Sequence, residues 1–174
     1  MSKPPILNIA DVQCVPFEQL APKPPPERIR KRFGASLGLI SRKLGAQKLG
    51  YNLTVIAPGK RAFPFHNHRL NEEMFFILEG SGELRLGAET FPLRAGDVVA
   101  CPPGGPETAH QIVNNSDKEL KVLAVSTVLP SEVCEYPDSG KFAASVSGPE
   151  PGSPWALRLV GRGAEAQVDY WDGE

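Results

Sequence analysis

The chain has 174 residues, of which 17 glycines and 18 prolines make up about one in five, against roughly 12% in average usage. These breakers run along the whole length and exclude long helices, while a 41% hydrophobic content excludes a disordered or collagen-like chain. The net charge of −1 names no partner by itself, and the length suits one turn-rich, all-β domain burying roughly 70% of its unfolded surface.

The first 50 residues read as an N-terminal arm with an extended start at Ile6 to Val15 and a stiff polyproline joint at Pro22 to Pro26. A basic stretch follows, with seven basic residues and no acid between Arg28 and Lys48. It could meet an anionic ligand, or it could be a solvated arm over the acidic remainder of the chain. Residues 1–69 carry 12 basic and 3 acidic side chains, residues 70–130 carry 4 and 9, and residues 131–174 carry 3 and 8. Nothing in the stretch resembles a nucleic-acid-binding element. Leu37 to Leu49 is expected to form a short helix, weakened by Gly38 and Gly45.

From Tyr51 the pattern changes to short β-like runs between turn residues. Tyr51 to Ala57, Glu73 to Leu78, Glu83 to Leu86, Glu89 to Leu93, Asp97 to Cys101, Ala109 to Val113 and Leu120 to Val128 all read as strands, the density of a sandwich or barrel occupying residues 51–130. Met74 to Leu78 and Leu120 to Val128 are apolar on both faces and need cover from the leader or from a partner subunit. Residues 131–174 add candidate strands at Lys141 to Val146 and Trp155 to Val160, a Pro/Gly joint at Gly148 to Pro154, and a tail.

The chain has three histidines. His66 and His68 are two apart, and on an extended segment alternation points both rings to one side. Glu72 and Glu73 follow, and His110 lies on a later strand that folding could bring opposite. Three neutral imidazoles and a carboxylate suit one divalent transition metal such as Zn, Mn, Fe, Co or Ni, with positions left for water or substrate. The bland reading of the pair is two partly exposed histidines at a strand edge.

The spacing resembles the two motifs of the cupin superfamily. The first appears as Gly59, six residues, His66-x-His68, four residues, Glu73, six residues, Gly80. The second appears as Gly96, five residues, Pro102-x-Gly104, five residues, His110, three residues, Asn114. The resemblance covers residues 59–114 and implies a double-stranded β-helix, or jelly-roll, barrel with extended N- and C-terminal arms. It further implies a metal held by His66, His68, Glu73 and His110, the count back from Gly80 choosing Glu73 over Glu72. The gap from Gly104 to His110 is three residues longer than usual in the family, which implies a stiff, enlarged rim at Pro102 to Glu107.

Function follows as an expectation of metal-dependent chemistry on a small polar, anionic substrate. The ion would polarise a carbonyl oxygen, as in a sugar-phosphate isomerase, or take up O2 beside the substrate, as in a dioxygenase. Lys60, Arg61 and Arg69 flank the histidine strand and could orient the anion, or could be exposed rim charges; Glu72 and Glu107 are the acid/base possibilities. The alternatives are a non-enzymatic sugar- or acid-binding module with a structural metal, and a storage or scaffold protein without one. Cys101 reads as a buried filler or a soft ligand, and Cys134 as a loop residue without a partner. Three cysteines without a paired spacing, no apolar leader and no membrane-length apolar run make a cytoplasmic protein the expectation. A homodimer is expected from outer faces carrying Phe76 and Leu123 or Val125.

Overall fold

Strand alternation decides which side chains reach the interior, and pairing register decides which of them meet. The computed structural model describes residues 5–20, 24–148 and 155–174. It carries thirteen strands among them: β1 (Val15–Pro16), β2 (Ala35–Leu39), β3 (Leu49–Ile56), β4 (Asn67–His68), β5 (Glu73–Glu79), β6 (Ser81–Leu86), β7 (Glu89–Arg94), β8 (Val98–Cys101), β9 (His110–Val113), β10 (Leu120–Thr127), β11 (Ser131–Tyr136), β12 (Lys141–Val146) and β13 (Leu157–Arg162). All ladders between these strands are antiparallel, in a six-stranded sheet ordered β1-β2-β3-β10-β5-β8, a four-stranded sheet β13-β12-β11-β4 and a three-stranded sheet β7-β6-β9.

One core joins opposite walls. Ile56, Phe75, Ile77, Val99, Leu120 and Val122 from the large sheet pack in the same buried cluster as Leu84, Leu93 and Ile112 from the three-stranded sheet. Pro92, which cannot donate a ladder hydrogen bond, sits on β7, the edge of that sheet. Arg85 lies over the Phe65 ring and makes two hydrogen bonds, 2.8 and 2.9 Å, to Asp138 just beyond β11. That contact ties the three-stranded sheet to the turn between β11 and β12 of the four-stranded one. Asn114 of the second motif is wholly buried; its Nδ2 donates to the carbonyls of Ile56 and Lys118, and its Oδ1 accepts from Ser116. It holds the turn between β9 and β10.

The leader departs from expectation. Leu37 to Leu49 is not one helix: Ala35–Leu39 is strand β2, paired with β3, and only Ser41–Leu44 is helical, ending at left-handed Gly45. A side chain at Gly38 would come within 2.2 Å of Val12, so the glycine that weakens a helix allows close packing in the sheet. Ile6 to Val15 is likewise interrupted by a single 3-10 turn at Ile9–Asp11, capped by Asn8. Val12 and Ile40 of the leader bury themselves against Leu53, with Leu7, Cys14, Leu44, Val55, Leu78 and Leu123 around them. The leader therefore covers part of the outer face of the large sheet. The basic stretch is exposed at all seven charges. Part of the Pro22 to Pro26 joint, and all but Gly148 of the Gly148 to Pro154 joint, lie outside the described residues. No helix among the described residues is long and apolar enough to cross a membrane.

The chain passes from the six-stranded to the three-stranded sheet at Gly80, where φ is +88° and an added Cβ would meet the Glu119 carbonyl oxygen at 2.5 Å. Gly80→Ala is expected to cost about 2 kcal/mol, a fall of roughly 4–8 °C in Tm for a domain of this size. Thermal unfolding with an unchanged midpoint would show that the backbone there relaxes freely.

Candidate metal centre

The first motif delivers its histidines on two different backbone settings. His66 and His110 exchange backbone hydrogen bonds, His110 N to His66 O at 2.8 Å and His66 N to His110 O at 3.2 Å. Opposite residues in an antiparallel pair project to the same face, and their rings lie 4.7 Å apart. His68 stands on β4, opposite Cys134 of β11. Asn67, between them, points away and is wholly buried; its amide donates to Gly104 O and Glu135 Oε2, both at 2.9 Å. On β5, Glu73 shares a face with buried Phe75 and Ile77, so period-2 alternation carries its carboxylate inward.

The four side chains converge. Glu73 Oε2 lies 2.9 Å from His110 Nε2, 3.4 Å from His68 Nε2 and 3.8 Å from His66 Nε2. The group is sheltered, with the Glu73 side chain 19% and the His110 side chain 4% exposed. One donor atom from each of His66, Glu73 and His110 lies within 4.8 Å of the others, and His66 and His68 form a second such set with Cys134.

The second nitrogen of each ring defines what the first can do. His66 Nδ1 is 2.8 Å from Pro64 O and His110 Nδ1 is 3.2 Å from Thr108 O. A carbonyl only accepts, so each Nδ1 carries the proton and each neutral ring turns an Nε2 lone pair toward Glu73. His68 Nδ1 lies 3.3 Å from Glu132 Oε2, off the line of a good hydrogen bond. Glu132 itself is anchored by the backbone N–H groups of Arg69, Leu70, Asn71 and Val133 and by the Asn71 amide. Lone pairs facing a carboxylate oxygen repel unless a proton or a metal cation lies among them; without metal, the 2.9 Å contact of His110 Nε2 with Glu73 is a hydrogen bond with a proton between the two atoms. A borderline divalent ion satisfies nitrogen and oxygen donors together, so the residues fit a transition metal.

Burial, and then the neighbouring His110, push His66 down to about 4, against the pull of Glu73. Burial opposes ionisation of Glu73, but hydrogen bonds from His110 and His68 outweigh it and hold the carboxyl well below its usual range. For His68, burial is outweighed by its hydrogen bond to Glu73, the charge of Glu73 and then Glu132, and its value is raised.

A cavity of about 520 Å³ reaches His66 and His68. Its other walls include Phe17, Phe63, Trp155, Glu132, Tyr136 and Arg158. The basic residues expected at this rim are engaged elsewhere. Lys60 Nζ donates to the carbonyls of Arg30 and Lys31, Arg69 pairs with Glu135 at 2.9 Å, and neither these nor Arg61 line the cavity. Glu72 and Glu107 are exposed and also lie off it. The Pro102 to Glu107 loop folds back on itself, with Gly105 N donating to Glu107 and Gly104 N to His68 O. Cys101 is 2% exposed in the apolar core, its thiol pushed up to about 12 by burial and then by Glu73. Cys134 is not a loop residue: it lies on β11, where Glu132, Cys134 and Tyr136 all face the cavity. The signal for this strand was a six-residue run bounded by Pro130 and Pro137 and containing Val133 and Tyr136.

The pH response of metal-free protein follows from these shifts. A buried neutral His66 contributes nothing adverse above its unfolded value near 6.5, and stability falls as pH drops from there toward about 4. The loss is on the order of 3 kcal/mol. Glu73 acts lower, its contribution being present above the ordinary carboxylate value of 4.5 and lost only as pH falls through its depressed one. His68 acts in the opposite sense, stabilising below 6.5 and fading as pH rises through its raised value. Denaturant unfolding of metal-stripped protein between pH 7 and 4 is expected to show a steeper decline for wild type than for His66→Gln. Parallel curves would refute it.

The cupin-domain family profile matches residues 52–126, which contain all four converging side chains. The polyketide synthase CurC of Streptomyces cyaneus is 33% identical over 118 residues, 67% of this chain and 74% of that one. An uncharacterized protein of Methanocaldococcus jannaschii is 39% identical over 61 residues, 35% of this chain, and the match spans 46% of that relative's length. A solved structure described as a sugar phosphate isomerase from a cupin superfamily, from Silicibacter pomeroyi, superposes with TM-score 0.75 over 95% of this chain and 97% of that one, at 22% identity. A candidate sugar phosphate isomerase from Acidithiobacillus ferrooxidans does so with TM-score 0.68 over 78% and 80%, at 25% identity. The fold is the double-stranded β-helix shared by these structures, and the chain belongs to the cupin family.

Proposed function

We propose that this protein is a metal-dependent enzyme that moves a proton next to the carbonyl of a small organic anion, as in an isomerisation or a ring closure, and that it works as a homodimer. The reading is carried by the convergence of His66, His68 and His110 on the Glu73 carboxylate beside a cavity of small-molecule size. A divalent ion bound there supplies Lewis acidity toward a substrate carbonyl. The chain's own groups position the substrate. Tyr136 lines the cavity and stacks on His66 with centroids 6.3 Å apart. Burial pushes its phenol up, so it stays protonated and can donate to charge developing on a substrate oxygen. Arg158, the one cation among the described lining residues, suits an anionic end, while Phe17, Phe63 and Trp155 offer flat apolar faces.

One cation among several aromatic walls favours a ring bearing a carboxylate or an acidic hydroxyl over a phosphorylated sugar. That balance lends more support to chemistry on a polyketide-like ring, in line with the relative described as a polyketide synthase, than to that of the sugar phosphate isomerase neighbours. Oxidative cleavage would use the same ligands with iron. A binding module is the second reading, favoured by the state of Glu132. It is the one carboxylate among the described lining residues, and its oxygens already accept several donors, so it is a poor base.

The partner is a second copy of the chain. The leader covers the outer face of the large sheet around Leu53, Val55, Leu78 and Leu123. Next to it, Val98 is 66% exposed, with Phe76 paired beside it and half-buried. Light scattering at micromolar concentration is expected to give twice the 18.8 kDa chain mass; a monomeric mass would count against the dimer.

Untagged protein is expected to carry about one transition-metal ion per chain, lost in His66→Ala. Less than about a tenth of an ion in wild type, unchanged in the variant, would remove the metal from the reading. Metal-loaded protein is then assayed with sugar phosphates, with aromatic keto acids, and with small acids under O2. Product from the second group is expected; tight binding without product from any group would leave the binding module.

A further inference from the structure

We propose that Cys134 is a metal ligand of this centre, completing with His66 and His68 a second donor set on the cavity side; the inference rests on the metal reading above. Neither motif contains this thiol. It arrives through pairing: β11 runs antiparallel to β4 with Cys134 directly opposite His68. One donor atom from each of His66, His68 and Cys134 lies within 4.8 Å of the other two. Cys134 is 9% exposed and lines the cavity together with both histidines.

The two donor sets share His66 and reach it from different walls. Glu73 comes from β5 of the six-stranded sheet, and Cys134 comes from β11 of the four-stranded sheet. Each wall offers one anionic donor to a common group of imidazoles. Sulfur with nitrogen is the combination preferred by thiophilic ions such as zinc and cobalt, and disfavoured by magnesium or manganese. Cys134 therefore biases which ion the centre retains. It also lines the cavity that a substrate would enter, so a bound ion would be held from the same side as the substrate space. On binding, the thiol releases its proton to solvent, one per ion. Cys101, the other thiol near Glu73, is packed in the apolar core and does not line the cavity.

Cobalt(II) titrated into metal-stripped protein tests the assignment without reference to turnover. Wild type is expected to show visible ligand-field bands together with a near-ultraviolet thiolate-to-cobalt charge-transfer band. Cys134→Ser is expected to keep the first and lose the second. Cobalt binding to wild type without the charge-transfer band, or a band that survives in Cys134→Ser, overturns the inference and leaves the histidine centre standing. Failure of wild type to bind cobalt or zinc removes the centre and the inference together. Should the variant not fold, X-ray absorption of zinc-loaded wild type decides: a sulfur shell near about 2.3 Å is expected, and nitrogen and oxygen alone near about 2.0–2.1 Å would refute it.

Discussion

A carboxylate sheltered from water costs several kcal/mol unless partners hold it, and Glu73 is held by three imidazoles at 2.9, 3.4 and 3.8 Å. The rest of the molecule can be understood as the scaffold this contact requires. Glu73 points inward because Phe75 and Ile77 share its face. His110 reaches it because His66 and His110 form a reciprocal backbone pair. His68 reaches it because β4 pairs with β11. The rings face Glu73 with Nε2 because the carbonyls of Pro64 and Thr108 hold the Nδ1 atoms of His66 and His110. Loss of any of these ladders would leave a charge facing apolar side chains.

Legibility in the sequence follows the range of the interactions. The runs at Glu73 to Leu78, Glu89 to Leu93 and Lys141 to Val146 are readable because turn residues bound short stretches of strand-forming side chains, a local signal. The four converging side chains were readable because their spacing resembles a known pair of motifs. β2 was misread as helix because its reason to be extended lies elsewhere in the chain: it pairs with β3 and accepts Val12 against Gly38. β11 was missed because Glu132, Cys134 and Tyr136, the face that lines the cavity, are not the apolar face a buried strand ordinarily presents. Nothing local reveals that Lys60 and Arg69 are taken up by Arg30, Lys31 and Glu135.

The same distinction separates what the centre does from what the cavity accepts. The donors come from β4, β5 and the His66/His110 pair. Beside Phe63 of the first motif, much of the wall comes from segments outside both motifs: Phe17 from the leader, Tyr136 from β11, and Trp155 and Arg158 near and on β13. A motif can thus gather a donor set while saying little about a substrate, and no residue of the longer Pro102 to Glu107 loop lines the cavity.

β11 makes this dependence sharp. Its period of two places Glu132, Cys134 and Tyr136 together on the cavity, so one register fixes a carboxylate beside His68, a thiol beside two imidazoles and a phenol against His66. A slip of one residue would present Val133 and Glu135 instead and lose all three. The register is held from both faces of the strand. Glu135 bonds Asn67 and Arg69, and Glu132 gathers the backbone of Arg69 to Asn71. Asn67 therefore does its work facing away from the histidines on either side of it: by clamping β11 and Gly104, it sets where a strand 68 residues away delivers its side chains.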